Sequence, residues 1–260
     1  MNALPRWARW LDALAFVCLL VSVAIALSPA RVRLDLGFGL LSLGTAWRPL
    51  LLAGFLAGVR HRWLPRPHLG ERILAWRREL GTPSVVLSAR MLLITRVPVL
   101  LAGFAATLIV GLPASGIRPI SQDPLRDLPA RWDTTWYTEI ARTGYQYDPR
   151  LGPDAQQRIV FFPLYPMLMR TLAAFTTPER SAMKYEEYLE MRQVHLAWCG
   201  LLISLVAFAG ALVVVYRWAE LRGGADAAGA TVVLLSTYPF AVFFSAPYTE
   251  ALFLLLIAGA

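Results

Sequence analysis

The feature that most limits this chain is a succession of apolar runs, each close to the length of a bilayer-crossing helix. The runs fall at residues 11–27, 34–59, 85–110, 196–216 and 227–244, and a sixth opens at Ala251. About 20 mostly apolar residues cross the hydrocarbon core as a helix. Residues 251–260 are too few to cross, which predicts a longer protein whose later helices lie beyond Ala260. Composition agrees: 57% of residues are apolar and 16% charged, against about half and a quarter in an ordinary soluble domain. A disordered chain is excluded by the same balance. The fold class read from this is an all-α polytopic membrane protein.

Charge then orients the spans. There are 25 Lys+Arg against 17 Asp+Glu, and Lys184 is the one lysine. The basic residues sit between the greasy runs rather than in one stripe, so nucleic acid is excluded as a partner. Arg6 and Arg9, the loop at 60–84 with Arg60, Arg62, Arg66, Arg72, Arg77 and Arg78, and Arg217 with Arg222 all fall on one side if the spans alternate. The positive-inside rule makes that side cytoplasmic. The Arg31/Arg33 turn opposes this mildly. Ala24-Ile25-Ala26 reads as a passable cleavage site, but the length of the first run favours an uncleaved anchor. Gly54-x-x-x-Gly58 is a small-residue pattern for close helix approach. The expected organisation is a membrane region at 1–111, an external loop at 112–195 and a second membrane region at 196–260.

The external loop is too long for a connector, and loops of that size are functional or disordered. Its aromatics rule out disorder: Trp132, Trp136, Tyr137, Tyr145, Tyr147, Phe161, Phe162 and Tyr165. Such side chains suit an interface where lipid head groups and sugars meet. Between Pro129 and Gly144 the spacing predicts a short helix. Trp132, Trp136 and Ile140, four apart, are expected to share one of its faces. Asp133 falls at the N-cap, where a carboxylate serves as a cap or, alternatively, as a reactive group.

A second cluster, Phe161-Phe162-Pro163-Leu164-Tyr165-Pro166, is expected to form a rigid aromatic surface. A third runs from Tyr238 to Glu250, and Glu250 opens the sixth span from outside. No Asp-x-Asp pair, Gly-x-Gly-x-x-Gly, Walker loop or His-Glu-x-x-His occurs. His61, His68 and His195 lack metal-ligand spacing, and Cys18 and Cys199 lie inside apolar runs. No metal ligand is assigned.

Three strings together resemble the PIG-V-like mannosyltransferases, relatives of GPI mannosyltransferase 2. They are Trp132-Asp133-x-x-Trp136-Tyr137-x-x-Ile140-Ala141-x-x-Gly144-Tyr145, then Phe161 to Pro166, then Tyr238-Pro239-x-x-x-Phe243-Phe244-Ser245-Ala246-x-Tyr248-Thr249-Glu250-Ala251-Leu252-Phe253. The resemblance covers residues 112–260 and leaves the first two spans as an extension.

The resemblance implies a GT-C-type glycosyltransferase fold. It also implies a hexose, mannose above all, taken from a polyprenyl- or dolichyl-phosphate donor on the extracytoplasmic side and given to a lipid or glycan acceptor. Asp133 takes the position of the catalytic base, and Glu250 is assigned to orient the acceptor or Asp133. Arg131, Arg142, Arg158 and Arg170 are the candidate phosphate cations, since guanidinium forks phosphate oxygens. Trp132, Trp136, Tyr137, Phe162, Tyr165 and Tyr248 are candidate contacts for sugar or prenyl chain. No cofactor is required, and a divalent metal stays open because other GT-C enzymes use one. The Arg-for-Lys, Ala-rich composition looks like a high-GC bacterium, which implies a bacterial inner membrane, or the ER lumen side in a eukaryote. Two other readings stand beside this one. A transporter or flippase of lipid-linked solutes leans on Arg48, Arg90 and Arg96 near or within spans. A non-catalytic membrane subunit leans on Gly54, Gly58 and the cytoplasmic loop.

Overall fold

The computed structural model describes residues 5–27, 34–35, 40–41, 46–65, 67, 71, 74, 77–111, 119–152, 155–176 and 184–260. Expectations for Arg31, Arg33, Arg66, His68, Arg72 and Trp76 fall outside the described residues. The chain divides into two compact units, Met1–Leu80 with Ala174–Glu179, and Gly81–Ala173 with Arg180–Ala260.

The first unit is a helical hairpin. Helix α1 (Arg6–Leu27) carries the first apolar run. A two-residue antiparallel bridge follows, β1 (Leu34–Asp35) against β2 (Leu40–Leu41), in the register Leu34 to Leu41. Helix α2 (Trp47–Trp63) returns along α1. Ser22 Oγ donates to the Ala46 carbonyl at one end (2.7 Å), and Arg60 pairs with Asp12 at the other (3.4 Å).

Of the second expected run, residues 34–35 and 40–41 pair in this bridge and the described helix begins at Trp47. At 17 residues α2 is about 26 Å long. Arg60 is a second departure. The charge pattern places it in the cytoplasmic loop, yet it lies within α2, buried against Asp12. Gly54 and Gly58 meet no atom within 4 Å of where a Cβ would stand, so neither seats a close helix contact among the described residues.

The second unit holds α3 (Pro83–Ile109), α4 (Thr134–Thr143), the 3-10 turn η1 (Arg158–Val160) and the part of α5 (Leu164–Thr176) up to Ala173. It continues with α6 (Tyr185–Thr237), the 3-10 segment η2 (Pro239–Ser245) and α7 (Glu250–Gly259). Helix α6 is not straight. Gly224 breaks it with φ 77° and ψ −177°. Leu212 and Val232 share one buried cluster, although 20 residues of straight helix span about 30 Å. The chain must double back at Gly224. The two limbs correspond to the expected runs at 196–216 and 227–244.

The first limb starts eleven residues early, at Tyr185, where the Glu187 carboxylate reaches back to accept from the Lys184 amide. The second stops at Thr237 rather than 244, because Pro239 has no N–H to continue the ladder. Phe208, Leu212, Tyr216, Ala228, Val232 and Ala251 form its core, with Leu87 and Met91 of α3 packed on it.

Trp7–Ala26, Pro83–Ile109 and Tyr185–Thr237 are long and apolar enough to cross a membrane, and η2 with α7, bent by 94°, passes the same test as a pair. The protein is an all-α integral membrane protein. Gly224 occupies a backbone region that is essentially glycine-only. Gly224→Ala is expected to cost about 1–3 kcal/mol, read as a lowered thermal unfolding midpoint in detergent. An unchanged midpoint would show that the reversal does not depend on this torsion.

Candidate functional site

Helix α4 begins after Asp133 and ends at Gly144, whose φ is 82°. Its buried face is Thr134, Tyr137, Thr138, Ile140 and Ala141. This corrects the expected face of Trp132, Trp136 and Ile140. Trp132 precedes the helix, has φ 42° and is 59% exposed. Trp136 is half-buried and stacks on Phe161 at 5.9 Å. A bulky aromatic at positive φ is an outlier that its surroundings must hold in place.

The holding groups come from the far end of the chain. The Tyr248 hydroxyl donates to the Arg131 carbonyl (3.0 Å) and accepts from the Asp133 amide (3.2 Å). Beside it, the Tyr137 and Thr249 hydroxyls lie 3.4 Å apart. Thr249 stands at the N-cap position of α7 without a side-chain capping bond, and Glu250 is that helix's first residue. Arg131 to Asp133 and Tyr248 to Glu250 thus form one surface.

An aromatic cluster lies under that surface. The Tyr137 ring is edge-on to Phe161 (5.1 Å) and Tyr165 (5.3 Å), and tilted on Tyr248 (6.3 Å). Phe243 stacks on Tyr248 (6.0 Å) and meets Trp132 (6.1 Å). Tyr165 is fully buried, its hydroxyl 2.7 Å from both the Gly200 carbonyl and Ser204 Oγ. Gly200 is required here, because a Cβ would stand 2.8 Å from that of Pro247. All three sequence strings meet in this cluster. Phe162 does not join it and points away, 78% exposed.

Asp133 is exposed, and its side chain makes no capping bond to α4. The carboxylate is not spent on the helix end. Burial pushes the Tyr137 phenol above its ordinary pKa; the Thr249 contact opposes this, and the charges of Glu250 and Asp133 add to the rise. Both carboxylates therefore act on one phenol, which stays protonated at neutral pH.

The candidate cations separate into two places. Arg131 donates through Nη1 to the Asp127 carboxylate (2.7 Å) and to the carbonyls of Asp127 and Ala130. Arg142 and Arg158 instead converge on Glu139, at 2.8 and 3.3 Å. Gln193 of α6 donates to the same carboxylate. Glu139 was not singled out in the sequence, though its i,i+3 spacing to Arg142 was visible. Arg158 also donates to Thr143 and Gln146, which folds the loop back on α4. Arg170 is half-buried on α5.

A further residue was seen only as a hint of transport. Arg96 of α3 is buried, with its guanidinium over Phe208. It donates to the Ala241 carbonyl, the Ser236 carbonyl (2.6 Å) and Ser245 Oγ (3.2 Å). It ties α3 to the end of α6 and to η2, the segment that leads into Tyr248. Arg48 stacks over Trp47 at 5.6 Å. Cys18 and Cys199 are free and buried. Among the described residues, no three His, Cys, Asp or Glu side chains lie together as a metal-holding group.

Fold and site together define a multi-pass helical membrane protein with two exposed carboxylates on an aromatic platform at the helix ends. Residues 106–260 match the family Mannosyltransferase (PIG-V), and the chain belongs to that family. It is accordingly a membrane glycosyltransferase. No curated protein and no solved structure matches the chain.

Arg96→Met would leave the acceptors on α6 and η2 without their donor. A loss on the order of 3 kcal/mol is expected, read as a lower thermal midpoint in detergent, with Arg96→Lys intermediate. Equal midpoints for all three proteins would remove the clamp from the account.

Proposed function

We propose that the protein transfers a mannosyl group from a polyprenyl- or dolichyl-phosphate donor to a hydroxyl of a lipid or glycan acceptor on the extracytoplasmic side of the membrane. In this reading the polypeptide has a GT-C-type fold, and residues 112–195 form its extracytoplasmic catalytic loop. Asp133 is the general base. Its carboxylate takes the acceptor hydroxyl's proton as that oxygen bonds to C1 of the sugar. The C1–O bond to phosphate breaks, and its electron pair leaves with the lipid phosphate. One positioned base contributes about 10²–10⁴-fold to such a step.

The observation that carries the reading is the state of Asp133. It is exposed and free of any capping bond, yet the Tyr248 hydroxyl fixes its backbone at 3.2 Å. A mere cap would spend its carboxylate on the helix amides. Glu250, exposed one residue after Thr249, orients the acceptor or Asp133. Trp132, the exposed aromatic of the surface, stacks on the sugar or the first prenyl unit. Arg142 and Arg158 are shared with Glu139, so their contribution to phosphate is secondary to that of Arg131.

The family relationship supports the glycosyl transfer, and the chemistry of a lipid-linked donor suits a site on membrane helices. The test is transfer from radiolabelled polyprenyl-phosphate-mannose by the full-length gene product in liposomes. Asp133→Ala is expected to lower transfer by at least about 10²-fold, with membrane insertion and thermal midpoint retained. Transfer at wild-type rate in that variant would dismiss Asp133 as the base. Glu250→Gln is expected to lower transfer less than Asp133→Ala, because it acts on orientation.

A further inference from the structure

Tyr248, a candidate contact for sugar or prenyl chain, is only 4% exposed. The single proton of its hydroxyl goes to the Arg131 carbonyl, and its oxygen accepts from the Asp133 amide. A side chain so enclosed and so engaged has little left to offer a substrate.

The residue is held at its other end as well. Ser204 of α6 is fully buried and donates through Oγ to the Tyr248 carbonyl (3.3 Å). That bond uses the one Ser204 proton, so the Tyr165 hydroxyl, 2.7 Å away, is the donor to Ser204. The Tyr248 ring lies between Phe243 and Tyr137. Carbonyl, ring and hydroxyl are thus each fixed by a different segment of the second unit.

The start of α4 shows what this grip does. In a capping box, the side chain at N3 accepts from the amide of the N-cap residue. Asp133 is the N-cap of α4, and three residues on stands Trp136, whose indole is a donor only. The Tyr248 hydroxyl supplies the missing acceptor from 115 residues away.

The Asp133 backbone is also unusual for its place. A capping aspartate sits in the β region, from where its carboxylate reaches the helix amides. Asp133 has φ −72° and ψ −7°, and its carboxylate makes no such bond. The strained φ of Trp132 lies between the two groups that the Tyr248 hydroxyl joins. Strain of this kind persists only where the surroundings enforce it. Without the hydroxyl the turn relaxes, and the carboxylate falls onto the helix end.

We propose that Tyr248 is the positioning residue of Asp133. It caps the Asp133 amide from a distant segment, and so keeps the carboxylate off α4 and available to the acceptor. This rests on the reading of Asp133 as the general base.

The experiment compares wild type with Tyr248→Phe, which keeps the ring and removes only the hydroxyl. Transfer from radiolabelled polyprenyl-phosphate-mannose is followed with the full-length protein in liposomes. A lowering of kcat by about 10- to 100-fold is expected, with KM for donor and acceptor within about twofold of wild type. The acid limb of kcat/KM is expected to move to lower pH. A carboxylate that accepts from helix amides holds its charge more firmly, so its pKa falls.

A wild-type kcat in Tyr248→Phe overturns the role, and so does a loss carried by KM. An acid limb that stays in place overturns it too, since Tyr248 then does not act through Asp133. Should Tyr248→Phe fail to fold, Ser204→Ala frees the carbonyl end instead and decides by the same readings. The two readings fail separately. Wild-type transfer by Asp133→Ala removes the base, and this role with it. An inactive Asp133→Ala beside a Tyr248→Phe of wild-type kcat removes the role and keeps the base.

Discussion

A bilayer offers no water to a broken helix, so every backbone group freed at a break must find a partner inside the protein. The second unit breaks its helical run between Thr237 and Glu250, where two prolines and a 3-10 segment replace α-helix. Arg96 satisfies the carbonyls of Ser236 and Ala241 and the hydroxyl of Ser245 there. A charge buried in an apolar setting is tolerated only when fully hydrogen-bonded. Here the neutral acceptors sit at a helix C-terminus, whose partial negative charge adds to the attraction. The break in turn delivers Tyr248 to the loop before α4. The exposed carboxylate surface thus depends on a cation one helix away.

The aromatic cluster shows why the three strings belong to one device. Phe161 and Tyr165 lie along the chain from Tyr137, and Phe243 and Tyr248 come from η2 and the turn after it. Each edge-on or offset pair adds about 0.5–1.5 kcal/mol beyond its buried area. The rings also act as a rigid bed that holds Trp132 in a strained torsion. Strain of that kind survives where the surroundings over-determine it, and the Tyr248 hydroxyl on both sides of Trp132 does so.

Much of the helical layout was legible, and its errors have local causes. The runs at 11–27 and 85–110 are α1 and α3 because length and hydropathy alone decide a membrane helix. Of the run at 34–59, residues 34–35 and 40–41 pair as a short β bridge and residues 47–59 lie in α2, because an apolar stretch by itself does not say which of its residues hydrogen-bond along a helix and which pair across a turn. The turn around Asp133 was legible from Pro129 and Gly144, but the face of α4 was not. That face is set by what α4 packs against, and Trp132 had already left the helix. The roles of Glu139 and Arg96 were hidden for another reason: their partners lie up to 149 residues away.

From its own residues the chain settled that it is a helical membrane protein and which strings tie it to a mannosyltransferase family. These follow from composition and order, which solvent and lipid read directly. Only the tertiary structure decided that the Asp133 carboxylate makes no capping bond, that Arg142 and Arg158 are shared with Glu139, and that the Tyr248 hydroxyl holds the Asp133 amide. Those are questions of which partners arrive at a given atom, and arrival depends on how distant segments are brought together by packing.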